Sequence, residues 1–512
     1  MRPLRHAALV VGALFLSAAL AQPREPVAPS STYGLEPGEL AVGFRLIEGQ
    51  DASRAVTGGS GGATYPRPLR TYVWYPAERR AATMRFGRYA ELAERDIWPA
   101  EIAGAQQDKL KYANRPLARS LGPAGFDALL RQPVLAVENA PPLPGPFPLI
   151  ALNPGLYYES PVVFAALGEY LAGRGFVVAS TPLNGTNSPV ARVVEADLET
   201  QVRDLEQVIA RARELPFVSR DTLGVLGFDM GGMAGLIFSM RSVDVDAYAS
   251  IGSGLLFEHQ SGLPRIAHGY DPLALRVPWF HADRAQLAAP PPNSNQESLF
   301  TQATRSDRYL VLIENMDHFD FTSDALVAGP DAVPGYWSPR TPARAASSRT
   351  VARYVHGFFA AALAQDSRAF LAQTPEDSIP GRKVTIEHRA ATPASITYEE
   401  FIAAVVAGRG EEAVRKLRAV AAAEPNHFML QQSNLERAIL SLLFTWGLGR
   451  ETLPVAELLA ERYPSPAAQQ FLVESYVLAE DYPAAIEVLG RFLEQNPNAA
   501  PALARLEALR NR

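Results

Sequence analysis

The sequence predicts an α/β protein, a doubly wound and mostly parallel sheet, followed by an all-α domain of helical repeats. Three observations predict it. From residue 147 onward, short apolar runs alternate with amphipathic helical stretches, the pattern of a parallel sheet covered on both faces. One of these runs, 223–226, breaks into Gly227-Phe-Asp-Met-Gly231 and then into the small apolar residues of a packed helix. After Tyr398 the strand signal stops and only helical periodicity remains.

Taken in order, 40–46 alternates apolar and polar residues and reads as a strand, as does 67–76, which ends at Pro76. The two are expected to pair antiparallel at a sheet edge. The Gly-rich 57–63 between them lacks the Gly-Lys-Ser/Thr ending of a phosphate cradle, so it is read as a hairpin tip. Residues 80–135 are helical in pattern and interrupt the strands. A strand at 148–153, the turn Asn153-Pro-Gly-Leu, a helix at 162–174 stopped at Gly175, and a strand at 176–180 follow. The helix 197–215 carries Leu198, Val202, Leu205, Ile209 and Ala212 on one face. Strands at 247–253, 277–282 and 309–315 and a helix at 347–364 complete the α/β unit, placed at 39–365. Residues 366–396 read as a polar linker and 397–512 as the helical domain.

The flanks carry compartment signals. Arg2, Arg5 and His6 precede an apolar run from Ala7 to Leu20, and Ala19-Leu-Ala21 matches a cleavage site. Residues 1–21 are therefore expected to be a secretory signal peptide, with an uncleaved anchor as the alternative, and 22–38 a flexible leader. The chain has no cysteine, which excludes a lipoprotein anchor, disulfides and thiolate metal sites. That fits a periplasmic or secreted protein. The net charge of −6 is spread along the chain, without the basic stripe that nucleic-acid binding requires. No stable membrane span is expected after cleavage, and neither a cofactor nor a metal is implied. His259, His268 and His281 lack zinc-site spacing, and Asp317 and Asp320 are read as loop solvation or support for His318.

Several blocks resemble the α/β-hydrolases. Gly227-Phe-Asp-Met-Gly231 resembles their nucleophile elbow, Gly-x-Ser-x-Gly, with Asp229 at the serine position. Within that superfamily, Val42-Gly-Phe-Arg45, Arg67-Pro-Leu-Arg-Thr-Tyr-Val-Trp-Tyr-Pro76 and Leu171-Ala-Gly-Arg-Gly-Phe-Val-Val178 are similar to blocks of the dienelactone hydrolase and platelet-activating-factor acetylhydrolase branch. In such a frame 80–135 is either a lid over the site or a peripheral decoration. Residues 472–498 resemble one tetratricopeptide repeat, with 401–426 as a weaker second unit, which implies a possible protein partner for the tail.

The resemblance implies a catalytic set of Asp229, His318 and a third acid. Gly252 stands where one branch places that acid, and Asp283 occupies the other usual position. The oxyanion hole would be the backbone N–H of Met230 with one from Gly155 or Leu156. An aspartate at the elbow resembles haloalkane dehalogenases and epoxide hydrolases, where a carboxylate attacks saturated carbon. Trp98, Tyr157 or Tyr158 could then serve the leaving group. Attack on an ordinary ester would give a mixed anhydride, so direct esterase chemistry by Asp229 is disfavoured. Two readings stay open: a hydrolase acting on a small-molecule or ester-like substrate, and a catalytically degenerate binding protein using its helical tail. A third, Ser253 as nucleophile with Asp229 as orienting acid, conflicts with the elbow geometry.

Overall fold

The computed structural model describes residues 33–58, 62–80, 83–96, 115–156, 160–260, 262–290, 296–328, 341–364, 370, 379–392 and 396–511. The expected signal peptide, most of the leader, Trp98, Tyr157 and Tyr158 lie outside them.

A long hairpin opens the chain, β1 (Ala41–Gly58) against β2 (Ala63–Ala77), antiparallel in a register running from Ala41↔Ala77 to Gly58↔Ala63. Both strands outrun the sequence expectation. Asp51 holds the irregular middle of β1 by accepting from the Ser53 N–H and hydroxyl and from Arg54. Between hairpin and sheet come the helices Phe86–Arg95 and Arg115–Leu130, the latter interrupted at Gly122 (φ +67°). The short β3 (Ala136–Glu138) then pairs parallel with β1, so β3, not the hairpin, forms that sheet edge.

The strands β4 (Phe147–Asn153), β5 (Val177–Ser180), β6 (Val218–Phe228), β7 (Ala247–Ile251), β8 (Trp279–Arg284) and β9 (Arg308–Ile313) form the parallel centre. With β10 (Val384–Arg389) at the far edge, the whole sheet runs β10-β9-β8-β7-β6-β4-β5-β2-β1-β3. The order reverses around β4, so the following chain segments cover opposite faces and the carboxyl ends of the central strands are left open. Helix Glu195–Arg213 buries Leu198, Val202, Leu205, Ile209 and Ala212 on one face of the sheet, while helix Pro342–Ala362 buries Val355, Phe358 and Phe359 on the other.

One expectation is corrected at the sheet's far edge. Within 366–396, read as a polar linker, β10 (Val384–Arg389) pairs antiparallel with β9. The sequence hid it because an edge strand buries little: Thr385, Glu387 and Arg389 alternate with Val384, Ile386 and His388, and the charges solvate the free edge.

From Tyr398 the chain is helical throughout, ending in the helices Gly449–Arg462, Pro466–Leu478, Tyr482–Gln495 and Ala500–Arg510, each packed on the next. This region docks on the sheet domain. Its apolar core merges with the core under helix Glu195–Arg213, Arg276 stacks 3.6 Å from the Phe428 ring, and Arg305 pairs with Glu424. Ser433 Oγ donates to the Arg241 carbonyl at 3.2 Å. Among the described residues no helix is long and apolar enough to cross a membrane. The doubly wound mixed sheet, the sharp turn after β6 and the appended helices give an α/β-hydrolase architecture with a helical C-terminal region.

Candidate active site

The site is built on a bend that only small residues permit. β6 ends at Phe228, helix Met230–Arg241 begins at once, and Asp229 between them is held at φ +49°, ψ −123°, a strained backbone for an L residue. A side chain at Gly227 would strike the backbone of Gly231 and Gly232, and one at Gly231 the carbonyls of Asn153 and Pro154. At Gly155 it would meet the Asp229 Cβ itself. These close approaches lift the Asp229 side chain out of the bend at the carboxyl end of the sheet, half-buried at 17% exposed.

Its two oxygens have different surroundings. Oδ2 accepts the Leu156 N–H at 2.9 Å, and the Met230 N–H at the start of the following helix favours the charged form of the carboxylate. Leu156 and Met230 are the two residues whose N–H groups the sequence reading expects as oxyanion donors, and the Leu156 N–H is taken by the carboxylate of Asp229. Gly155 contributes close approach, and the donating N–H is that of Leu156. Oδ1 faces His318, whose Nε2 lies 3.8 Å away.

His318 opens the short 3₁₀ turn His318–Phe321 after β9. Its ring stacks on Phe228, with centroids 4.7 Å apart and planes 28° from parallel, and meets the Phe319 edge. The turn is anchored from below by Asp320, fully buried, which accepts from Arg344 and Arg382 and from the Asp317 N–H. Asp320 therefore supports His318 as the sequence reading allowed, through two arginines that the sequence alone did not connect to it.

Burial pushes the Asp229 carboxyl up, against the lowering pull of His318, the two backbone donors and Arg284. Burial pushes the His318 imidazole down, opposed by the Asp229 charge and reinforced by Arg284. Burial thus works against the charged form of both groups, and it biases the imidazole toward the neutral state in which it can take a proton.

The third member is arranged differently. Asp283, at the end of β8, is 1% exposed; its Oδ2 accepts the Gly254 N–H at 3.0 Å and its Oδ1 accepts the Arg284 N–H at 2.8 Å. His281 Nε2 is 3.5 Å from Oδ2, and His281 Nδ1 meets Ser250 Oγ at 2.8 Å, which also receives the Trp279 N–H. Burial acts to raise the Asp283 carboxyl, but His281 and Arg284 outweigh it and hold it below the usual carboxylate range. Asp283 makes no hydrogen bond to His318, and His318 Nδ1 is buried without a hydrogen-bond partner among the described residues. The association of His281 with Asp283 had a signal in the sequence: two residues apart on a strand, they share one face.

At the alternative acid position, Gly252 (φ +57°), an added Cβ would lie 2.8 Å from Phe321 Cδ2 and 3.0 Å from Phe228 Cε2. Aromatic rings fill the space of a side chain there. Ser253 is 2% exposed and its hydroxyl donates to the Ile251 carbonyl at 3.1 Å, which gives no support to a nucleophilic role. His259 and His268 are exposed loop residues. Among the described residues no group of three His, Cys, Asp or Glu side chains is placed to hold a metal ion.

Comparison with protein-family models finds no match, and comparison with curated proteins finds none either. Among solved structures, a ferulic acid esterase from Streptomyces cinnamoneus matches over 67% of this chain and 96% of its own, with 22% identity and a TM-score of 0.49.

Proposed function

We propose that this chain is a hydrolase in which the Asp229 carboxylate is the nucleophile, acting on a small molecule with an electrophilic saturated carbon, an epoxide or an alkyl halide. The observation that carries the reading is the division of labour between the two oxygens. With Oδ2 held by the Leu156 N–H, Oδ1 is left facing His318. Attack by Oδ1 on carbon forms an alkyl ester and either expels halide or breaks the epoxide C–O bond, the resulting alkoxide taking a proton from water. Oδ2 becomes the ester carbonyl oxygen, already on the Leu156 N–H, a donor that stabilises a tetrahedral oxyanion. His318 Nε2 then removes a proton from water, the resulting hydroxide adds to the Asp229 Cγ, and collapse of the adduct releases the alcohol and restores the carboxylate. The sum is addition of one water, with halide and a proton as co-products for an alkyl halide.

The same geometry argues against direct ester cleavage. An ester substrate needs the oxyanion hole for its own carbonyl oxygen, and an anionic oxygen stands there. A second reading, a binding protein on a hydrolase frame, draws support from the unpartnered Nδ1 of His318 and from Asp283 being engaged elsewhere. We further assign the chain to the periplasm or the extracellular space on its leader, and read the tail as tetratricopeptide-like with a protein partner. Both assignments rest on the sequence motifs.

The test is a trapping experiment. In His318→Gln, attack proceeds but ester hydrolysis does not, so incubation with styrene oxide or 1-chlorobutane should raise the intact mass by one substrate-derived group, mapped to Asp229. Absence of the adduct in this variant, together with absence of turnover in the natural chain, leaves the binding-protein reading.

A further inference from the structure

The helical insertion at 80–135 is joined to the active site through one carboxylate. Asp96 ends the helix Phe86–Arg95 and is 7% exposed. Its Oδ1 accepts the Tyr72 hydroxyl at 2.6 Å, and its Oδ2 accepts the Ser160 hydroxyl at 2.5 Å. The Arg70 guanidinium lies 3.5 Å from Oδ1 and is shared with Glu48 and the Arg95 carbonyl. Burial pushes the Asp96 carboxyl up to about 6, against the pull of Ser160, Tyr72 and Arg70. At neutral pH it is therefore ionised and accepts from both hydroxyls.

Ser160 is a junction. Its hydroxyl also accepts the Val162 N–H at 3.2 Å, which caps the 3₁₀ turn Pro161–Phe164. That turn meets the walls of the active site at two points. The Val163 carbonyl accepts the Ser323 N–H at 2.7 Å, and Ser323 Oγ accepts the Ala166 N–H at 3.1 Å. Ser323 stands two residues beyond the turn His318–Phe321. The Phe164 ring packs on Phe228 with centroids 5.4 Å apart, and Phe228 is the ring on which His318 stacks. One contact fixes the main chain beyond His318. The other fixes the plate on which its imidazole rests.

We infer that Asp96 is a positioning residue for the His318 imidazole, acting through the Ser160 hydroxyl and the turn Pro161–Phe164. His318 needs such bracing because its Nδ1 has no hydrogen-bond partner among the described residues. The angle of the ring is set by stacking and by its main chain rather than by an orienting acid. A displacement of about 1 Å at a reacting group can cost on the order of a hundredfold in rate, so the bracing has a kinetic consequence. That consequence rests on the reaction assigned to Asp229; the bracing of the ring does not.

The test uses the full chain with isotope-labelled histidine, and nuclear magnetic resonance of the ring signals. The His318 signal is identified by its loss in His318→Gln. Asp96→Ala and Ser160→Ala are each expected to move that signal and its titration midpoint. The double variant should move them no further than the larger single change, since both break one chain of contacts. Ester hydrolysis by His318 should slow about tenfold, while alkylation of Asp229, which needs no proton transfer to His318, holds within roughly twofold. The alkylated Asp229 then accumulates in intact-mass spectra during turnover. A residue that merely held the fold together would lower the melting temperature without either change. Should Asp96→Ala not fold, Ser160→Ala, which deletes one hydroxyl, carries the test by itself. A moved His318 signal with no alkylation in the natural chain supports the bracing and removes the reaction assigned to Asp229. A His318 signal unmoved in folded Ser160→Ala, or single changes that add in the double variant, would overturn the proposal.

Discussion

On one side of the His318 ring, at Nε2, the chain presents a carboxylate on a strained bend, with its second oxygen held by a backbone N–H at 2.9 Å. On the other side, at Nδ1, no described residue accepts a hydrogen bond, and the nearby acid Asp283 is bonded to Gly254 and Arg284. The difference follows from how each side is made. The Nε2 side depends on main-chain close approach at Gly155, Gly227 and Gly231, where any side chain would collide with backbone or with Asp229. The Nδ1 side depends on one side chain at the end of a strand. At Gly252 that side chain is missing and Phe228 and Phe321 occupy its place. Two sides of one imidazole can therefore have different fates, because backbone geometry resists single substitutions and a lone carboxylate does not.

The comparison breaks most sharply at Asp229 itself. Asp229→Ala is expected to lower kcat/KM on an epoxide or chloroalkane by about ten-thousand-fold, measured by steady-state kinetics, because it removes the bond-forming group. Asp229→Ser is expected to lose that activity too and to gain slow esterase activity on an activated ester, since it empties the oxyanion donors and gives His318 a hydroxyl proton to remove. Next in size is Gly231→Ala. Its new methyl meets the carbonyls of Asn153 and Pro154, and chemical denaturation should show a loss of roughly 3 kcal/mol or more.

Gly252→Asp sharpens the other half. It restores an acid near His318 but forces an L side chain to φ +57° against two rings, so a loss of about 2 kcal/mol is expected. Coupling it to Phe321→Ala should make the clash smaller without relieving the backbone strain, and a double-mutant cycle on denaturation midpoints measures that coupling.

Much of this was legible in sequence. The parallel centre and the tight turn at Gly227–Gly231 follow from periodicity and glycine spacing, because strand–helix alternation and tight turns are local properties, while the choice of His318 came from the resemblance to the α/β-hydrolases. Helix Glu195–Arg213 was readable from the five apolar residues it buries. Three things were not. β10 resembles a linker because an edge strand needs no apolar run. The Asp320–Arg344–Arg382 cluster joins residues 24 and 62 positions apart, and no local pattern announces it. The engagement of Asp283 depends on where the Gly254 N–H points, a three-dimensional fact.

Smaller effects test the Nδ1 side. Asp283→Asn is expected to change kcat by less than about tenfold, since Asp283 does not hold His318, while lowering the melting temperature through its lost partnership with His281. A far larger fall in kcat would mean that Asp283 turns to His318 during the reaction. The pH dependence is the mildest prediction. Turnover needs Asp229 ionised and His318 neutral; the first group is raised from 3.8 and the second lowered from 6.5. The acid limb of kcat/KM should therefore lie above the ordinary carboxylate value if Asp229 sets it and below the ordinary imidazole value if His318 does. Because the folded state holds His318 neutral, its contribution to stability is full above 6.5 and is lost as pH falls below that value.

The most direct measurement is turnover of an epoxide or chloroalkane in heavy-oxygen water, with mass analysis of the peptide that contains Asp229. A carboxylate nucleophile delivers its own light oxygen to the alcohol in a single turnover and takes the heavy oxygen into Asp229. Heavy oxygen in the first-turnover alcohol, with Asp229 unlabelled, would mean that water attacks the substrate directly and would contradict the assigned role.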